Sequence, residues 1–150
     1  MSLQEEVEHL RRIPLFSKVE PTRLKLLAFT SDRIEFDGGD VLFRQGDHGD
    51  SAYVILEGEV EVVMETDRGS EVLATIGESD IVGELAVLRS EPRTATVKAT
   101  RPTVTLKVTK DTFFSLIEEF PEMAVETMRI LADRLDRTTA RLRMEIEKND

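Results

Sequence analysis

A chain of 150 residues that is 40% hydrophobic has the size and composition of one globular domain with a single core. Its 30 acidic and 20 basic side chains leave a net charge of −10, which argues against a broad nucleic-acid footprint, since that needs clustered lysine and arginine. With no cysteine, neither a disulfide framework nor a thiolate metal site can form, and a cytoplasmic location is the expectation.

The first thirty residues read as helical, over about 4–30. Val7, Leu10 and Ile13 stand at helical spacing, Pro14 breaks the run, and Pro21 opens a second helix carrying Leu24, Leu27 and Ala28. From about 33 to 109 the pattern changes to short β-rich stretches separated by glycine turns, the spacing of an all-β sandwich or barrel. The longest apolar run there, Tyr53 to Leu56, is too short to cross a bilayer, and MSLQEEVEHL lacks the features of a signal peptide, so no membrane insertion is expected. Alternation is cleanest in TVTLKVT: Val104, Leu106 and Val108 share one face, and Thr103, Thr105 and Lys107 share another that is expected to be wet. Over about 111–147, Asp111 or Thr112 can cap a short helix and Pro121 starts a long one. In that helix Met128, Leu131, Leu135, Thr138 and Leu142 recur at alternating three and four. Such a stripe either packs on the helix's own barrel or forms a homodimer seam flanked by Arg137, Arg141, Arg143, Glu145 and Glu147.

The stretch VGELAVLRSEPRTATVKA, Val82 to Ala99, interrupts the β pattern with a short helix and then resumes it. Gly83 permits a tight entry, and the turn begun by Glu84, Leu85 and Ala86 opens with backbone N–H groups that have no internal partners and suit an anion. Pro92 fixes a bend, and Arg93 enters the next strand with a guanidinium able to hold two phosphate oxygens in a fork, a geometry that lysine lacks. Glu84 beside such a site would repel the anion unless it accepts a hydrogen from a sugar hydroxyl. The residues leave a plain alternative open, in which Arg93 and Glu84 simply pair as a partly buried salt bridge.

GELAVLRSEPRTATV closely resembles the phosphate-binding cassette of the cyclic-nucleotide-binding domain family, shared by cyclic-nucleotide-dependent kinases, gated channels and the catabolite activator protein. The resemblance covers about residues 10 to 142. IPLFSKVEPTRLKLLA looks like the N-terminal helices of the family, FDGGDVLFRQGDHGDSAYVILEGEVEVV like its first strands, and LADRLDRTTARL like its lid helix. It implies a mainly β fold with flanking helices: an eight-stranded jelly-roll-like β-barrel with N-terminal helices, a short internal phosphate-binding helix and a long C-terminal lid helix, all in one domain over 1–150. It implies further that Arg93 binds the exocyclic phosphate oxygens and Glu84 the ribose 2′-hydroxyl. Backbone N–H groups from Gly83 to Ala86, with Thr94 or Ala95, complete the cradle. Val62 and Leu73 wall the base, and Arg134, Leu135, Thr138 and Thr139 cap it from the lid. Two departures stand out. Gly77-Glu78-Ser79-Asp80 lacks the second turn glycine of many members, and Val82 stands where an aromatic is common. The implied ligand is cAMP or cGMP, with cAMP preferred, although a hydroxyl at Thr94 could meet the 2-amino group of a syn guanine.

No cofactor, metal or catalytic residue is expected. A cupin-like metalloenzyme needs a histidine cluster, whereas this chain has only His9 in the first helix and His48 in a glycine turn. No GxSxG, Walker lysine or HExxH pattern occurs, and SLIEEFPEM reads as a solvated helix end. A degenerate barrel used only for docking is disfavoured because Arg93 and Glu84 are both present. Eight residues after Leu142 are too few for a helix-turn-helix, so DNA is not an expected partner, whereas an attached or associated effector is.

Overall fold

The computed structural model describes residues 2–149; Met1 and Asp150, the ends of the expected single domain, lie outside the described residues. Helix α1 (Leu3–Arg11) is capped by the Ser2 hydroxyl, which accepts from the Glu5 N–H at 3.2 Å, and ends two residues before Ile13. Ile13 was expected on this helix; it instead leads into a 3-10 turn at Pro14–Phe16 that buries Leu15 and Phe16. Helix α2 (Pro21–Thr30) begins at its proline, as the fixed φ of that residue favours.

Eight strands follow: β1 (Asp32–Phe36), β2 (Val41–Phe43), β3 (Ser51–Glu57), β4 (Glu59–Thr66), β5 (Gly69–Gly77), β6 (Ile81–Val82), β7 (Thr96–Ala99) and β8 (Thr103–Thr109), with helix α3 (Glu84–Arg89) between β6 and β7. They form two antiparallel four-stranded sheets, ordered β1-β8-β3-β6 and β2-β7-β4-β5. The eight strands and flanking helices match the expectation, but the closed barrel does not. The strand-to-strand ladders stay within each sheet, so the body is a two-sheet sandwich of the jelly-roll kind. Helix α4 (Lys110–Glu119) starts one residue earlier than expected. Its N-cap is Thr109, whose Oγ1 accepts from the Thr112 N–H at 3.3 Å, in place of Asp111 or Thr112. Helix α5 runs Pro121–Lys148.

The first sheet is covered on both faces. In β3, Ala52, Val54 and Leu56 join a cluster with Leu10, Phe16, Leu24, Phe113 and Met123 from the helices, while Tyr53 and Ile55 join Leu42, Val60, Ile76, Val82 and Val97 between the sheets. That explains the unbroken apolar run Tyr53–Leu56, since a strand packed on two sides cannot alternate with polar residues. The threonine face of β8 is likewise dry, contrary to expectation. Thr103 and Thr105 are buried, and each hydroxyl donates to a carbonyl, Thr103 to Arg101 at 2.8 Å and Thr105 to Ile34 at 3.0 Å. Both hydroxyls are satisfied without water.

The chain crosses from the first sheet to the second at Gly58, between β3 and β4. Its φ is +100°, and a Cβ there would sit 2.5 Å from the Pro102 carbonyl oxygen and 2.5 Å from Thr103 Oγ1. Gly58→Ala is therefore expected to destabilise the domain by about 1–3 kcal/mol from backbone strain alone, with the clash adding to it. Urea denaturation monitored by circular dichroism checks this, and an unchanged midpoint would contradict the crossing geometry.

Candidate functional site

Strand β6 ends at Gly83, whose φ of +84° turns the chain into α3. A Cβ on Gly83 would stand 2.6 Å from Arg93 Nη1 and 3.3 Å from the Ser51 carbonyl oxygen, so the missing side chain is what lets the arginine reach in. Gly49 does the same from the other side, with a Cβ position 2.4 Å from Ala86 Cβ and 3.2 Å from Arg93 Nε. Arg93 lies three residues before β7, not in the strand where it was expected. Its backbone is fixed at both ends by the Gly46–Asp47 turn: its N–H donates to Asp47 O at 2.8 Å, and its carbonyl accepts from the Gly46 N–H at 2.8 Å.

The Arg93 side chain is 5% exposed. Nη1 donates to Gly83 O at 2.9 Å and Nη2 to Ser51 O at 2.6 Å, and the guanidinium carbon lies 3.9 Å from the centre of the Phe43 ring. Nε is buried with no partner. Among the described residues no carboxylate ion-pairs with it. Burial pulls its pKa below the usual arginine value, and Tyr53, Asp50, Glu84 and Asp47 oppose that shift. The result is a buried cation whose hydrogen bonds are partly met by carbonyls and whose charge, among the described residues, is met by no contacting carboxylate.

Glu84 is 2% exposed and does not pair with Arg93, which removes the plain salt-bridge alternative. Its partner is Arg134, which reaches from α5 to Glu84 Oε1, to Asp80 Oδ1 at 2.8 Å and to the Ile81 carbonyl. Arg134 was expected over the base; the structure places its guanidinium on the cassette. Burial raises the Glu84 pKa from its usual value, against the Arg134 charge, which lowers it.

Twelve of the thirteen expected site residues line one cavity of about 570 Å³, a volume in the range of small-molecule sites. Gly83, Glu84, Leu85, Ala86, Arg93, Thr94 and Ala95 form one end, Val62 and Leu73 a wall, and Arg134, Leu135 and Thr138 the lid. Thr139 does not line it and is exposed. The sequence did not reveal Phe43, Met64, Thr75, Leu131, Arg137 and Arg141 as lining residues, nor Gly49 and Ser51 as supports of Arg93. The repeated glycines of GDHGD were the only signal for Gly49. Arg137 and Arg141 were read as flanks of a helix seam.

A second, larger depression of about 880 Å³ lies between α1 and the β3–β4 turn, where His9, Arg12 and Arg101 meet Glu5, Glu8, Glu57 and Glu78. Its charges are mixed and shared with solvent, so we place the chemistry at the smaller, less open cavity. Among the described residues no group of three or more His, Asp or Glu is arranged to hold a metal ion.

Because the folded-state pKa of Glu84 lies above its ordinary 4.5, the native state binds more protons than the unfolded chain above that pH, and the contribution of this residue to stability falls as pH rises through its native pKa. The stability difference between wild type and Glu84→Gln should therefore move against wild type from about pH 4.5 upward. Denaturation series at several pH values measure it; a difference moving the opposite way would mean that Arg134 outweighs burial.

The family description "cyclic nucleotide-binding domain" matches residues 33–120. Over 136 residues the chain is 33% identical to the CRP-like cAMP-activated global transcriptional regulator of Mycobacterium tuberculosis, with 90% of this chain and 61% of that one covered. It thus spans about three fifths of the length of that relative. The regulatory subunit of a cAMP-independent protein kinase A from Trypanosoma brucei superposes with a TM-score of 0.77 at 26% identity, covering 93% of this chain and 51% of its own. Thermus thermophilus catabolite activator protein superposes with 0.75 at 27% identity, covering 87% and 62%. The family match runs from β1 to the end of α4 and takes in the whole two-sheet body with the turn that carries Arg93, so this chain belongs to the cyclic nucleotide-binding domain family.

Proposed function

We propose that this chain binds a purine 3′,5′-cyclic nucleotide in the 570 Å³ cavity and works as a non-catalytic regulatory domain that reports the messenger through α5. The observation that carries the reading is Arg93, a buried guanidinium with an unpartnered Nε and no carboxylate against it. A singly charged cyclic phosphate supplies the missing negative charge, and the unpaired N–H groups at the start of α3 supply further donors. Glu84 keeps one oxygen on Arg134 and turns the other to the ribose 2′-hydroxyl. The cAMP response named for the mycobacterial relative supports this class at the phosphate and ribose, which cAMP and cGMP share. The same relative is named a transcriptional regulator, but we assign no DNA contact to this segment, whose net charge is −10. The output belongs to an attached or associated effector. No described helix is long and apolar enough to cross a membrane, and we place the domain in the cytoplasm.

Arg134 makes α5 responsive. It ties the lid to Glu84, Asp80 and Ile81, so a ligand that engages Glu84 alters the contacts that hold the helix. A ligand shifts a conformational equilibrium only through such differential contacts. A thermal-shift titration tests the binding claim: at 100 times its dissociation constant the nucleotide should stabilise wild type by about 2.7 kcal/mol, and Arg93→Ala far less at that concentration. Hydrogen exchange tests the lid claim, with amides between Pro121 and Arg141 expected to gain protection; unchanged exchange would leave binding intact and remove the switch.

The structure divides the expected α5 stripe into two lines. Leu131, Arg134, Thr138 and Arg141 face the cavity. Val125, Met128, Ala132, Leu135, Thr139, Leu142 and Ile146 alternate by three and four, and Leu135 and Leu142 are 66% and 59% exposed. Its apolar packing on the body comes from the first turns, through Met123, Thr127 and the partly buried Ile130, and farther along Arg134 and Arg141 make polar contacts to it. The whole stripe therefore does not pack on its own domain, and we assign the second line to a parallel homodimer, with Thr139 in its seam. Sedimentation velocity should show a dimer for wild type and a monomer for Leu142→Glu with Ile146→Glu; a wild-type monomer at high concentration would overturn the assignment.

A further inference from the structure

Past Arg134, the cavity extends outward along α5, and its polar character changes. A helical rise of 1.5 Å per residue puts Arg137 about 4.5 Å and Arg141 about 10.5 Å beyond Arg134 along the helix axis. Both line the cavity, and Arg141 is held over the base wall by donating Nη1 to Leu73 O at 2.6 Å. Among the described residues Arg137 makes no ion pair. The side chains lining the cavity include no Asp, Asn or Gln, and the one carboxylate, Glu84, is engaged by Arg134. Apart from the hydroxyls of Thr75, Thr94 and Thr138, every polar side chain left to meet a base is a guanidinium, which can donate hydrogen bonds and accept none.

The two purines differ at the edge that meets such a rim. Guanine presents O6 and N7, two acceptors that fit an arginine fork; adenine presents one acceptor, N7, beside an amino group that can only donate. Arg137 and Arg141 offer the adenine amino group no acceptor, whereas guanine O6 and N7 together gain charged donors, so these two side chains favour guanine. We infer that Arg137 and Arg141 make this pocket selective for a 6-oxo purine, so that its preferred ligand is a cyclic guanine nucleotide. The inference rests on the cyclic-nucleotide reading above and reverses the cAMP preference drawn from sequence, which did not place these arginines in the pocket.

Calorimetric titration of cGMP, cIMP and cAMP into wild type, Arg137→Ala, Arg141→Ala and the double variant tests it. Cyclic IMP keeps O6 and N7 but lacks the 2-amino group that Thr94 could read. Wild type should bind cGMP and cIMP with similar affinity and cAMP at least tenfold more weakly, about 1.4 kcal/mol. The double variant should bring the three ligands within threefold of one another. Both arginines are exposed, so folding should survive their loss, and an unchanged circular dichroism melt confirms it. Cyclic AMP binding as tightly as cGMP overturns the inference, as does a cGMP preference that cIMP does not share, or one that persists in the double variant. If wild type binds none of the three while remaining folded, the messenger reading itself falls, and this inference with it.

Discussion

The structure is organised around one unneutralised charge. Removing a guanidinium from water costs several kcal/mol, a cost that a contacting carboxylate normally offsets in part. At Arg93 the fold offers carbonyls and an aromatic face in its place: Gly83 O, Ser51 O and the ring of Phe43. These meet donors without cancelling the charge. Two glycines give up their side chains to make room, and the Gly46–Asp47 turn holds the backbone from both directions. Several elements thus converge to keep one cation buried and available, an arrangement with a clear cost to stability and an evident use only when an anion arrives.

Glu84 is the residue that could have spoiled this. It follows Gly83, whose carbonyl accepts from Arg93, and its charge acts on the guanidinium without touching it. Arg134 holds the carboxylate from α5, and the same guanidinium is anchored on Asp80 and Ile81. With Glu84 bonded from the α5 side, no carboxylate is in contact with the Arg93 guanidinium. The lid therefore takes part in the electrostatics of the cradle before any ligand is present, and its position and the readiness of the cradle are one property.

The cassette was legible in the sequence because its parts are local: a glycine turn, a short helix, a proline and an arginine within about a dozen residues. The sheet signal was legible too, since glycine spacing and strand alternation are short-range features. Contacts that span the chain were hidden. Ser51 meets Arg93 across 42 positions and Arg134 meets Glu84 across 50, and no periodicity reports such pairings. The wet face expected for β8 turned out dry because periodicity fixes which residues share a face, not what covers that face. The α5 stripe failed for a related reason. A run of threes and fours is compatible with more than one helical face, and only the docking of Met123 and Thr127 on the body decides which residues turn inward.

That docking gives α5 two jobs along the same turns. Leu135 belongs to both lines, lining the cavity while remaining 66% exposed. A second copy packed on the outer line would restrict the helix that carries Arg134, Thr138 and Arg141, and a ligand held by those residues would restrict the surface offered to that copy. If both proposed events act on this one helix, their free energies couple, and such a coupling is reciprocal by thermodynamic necessity. On the readings proposed above, messenger binding and self-association would then both depend on where a single helix lies.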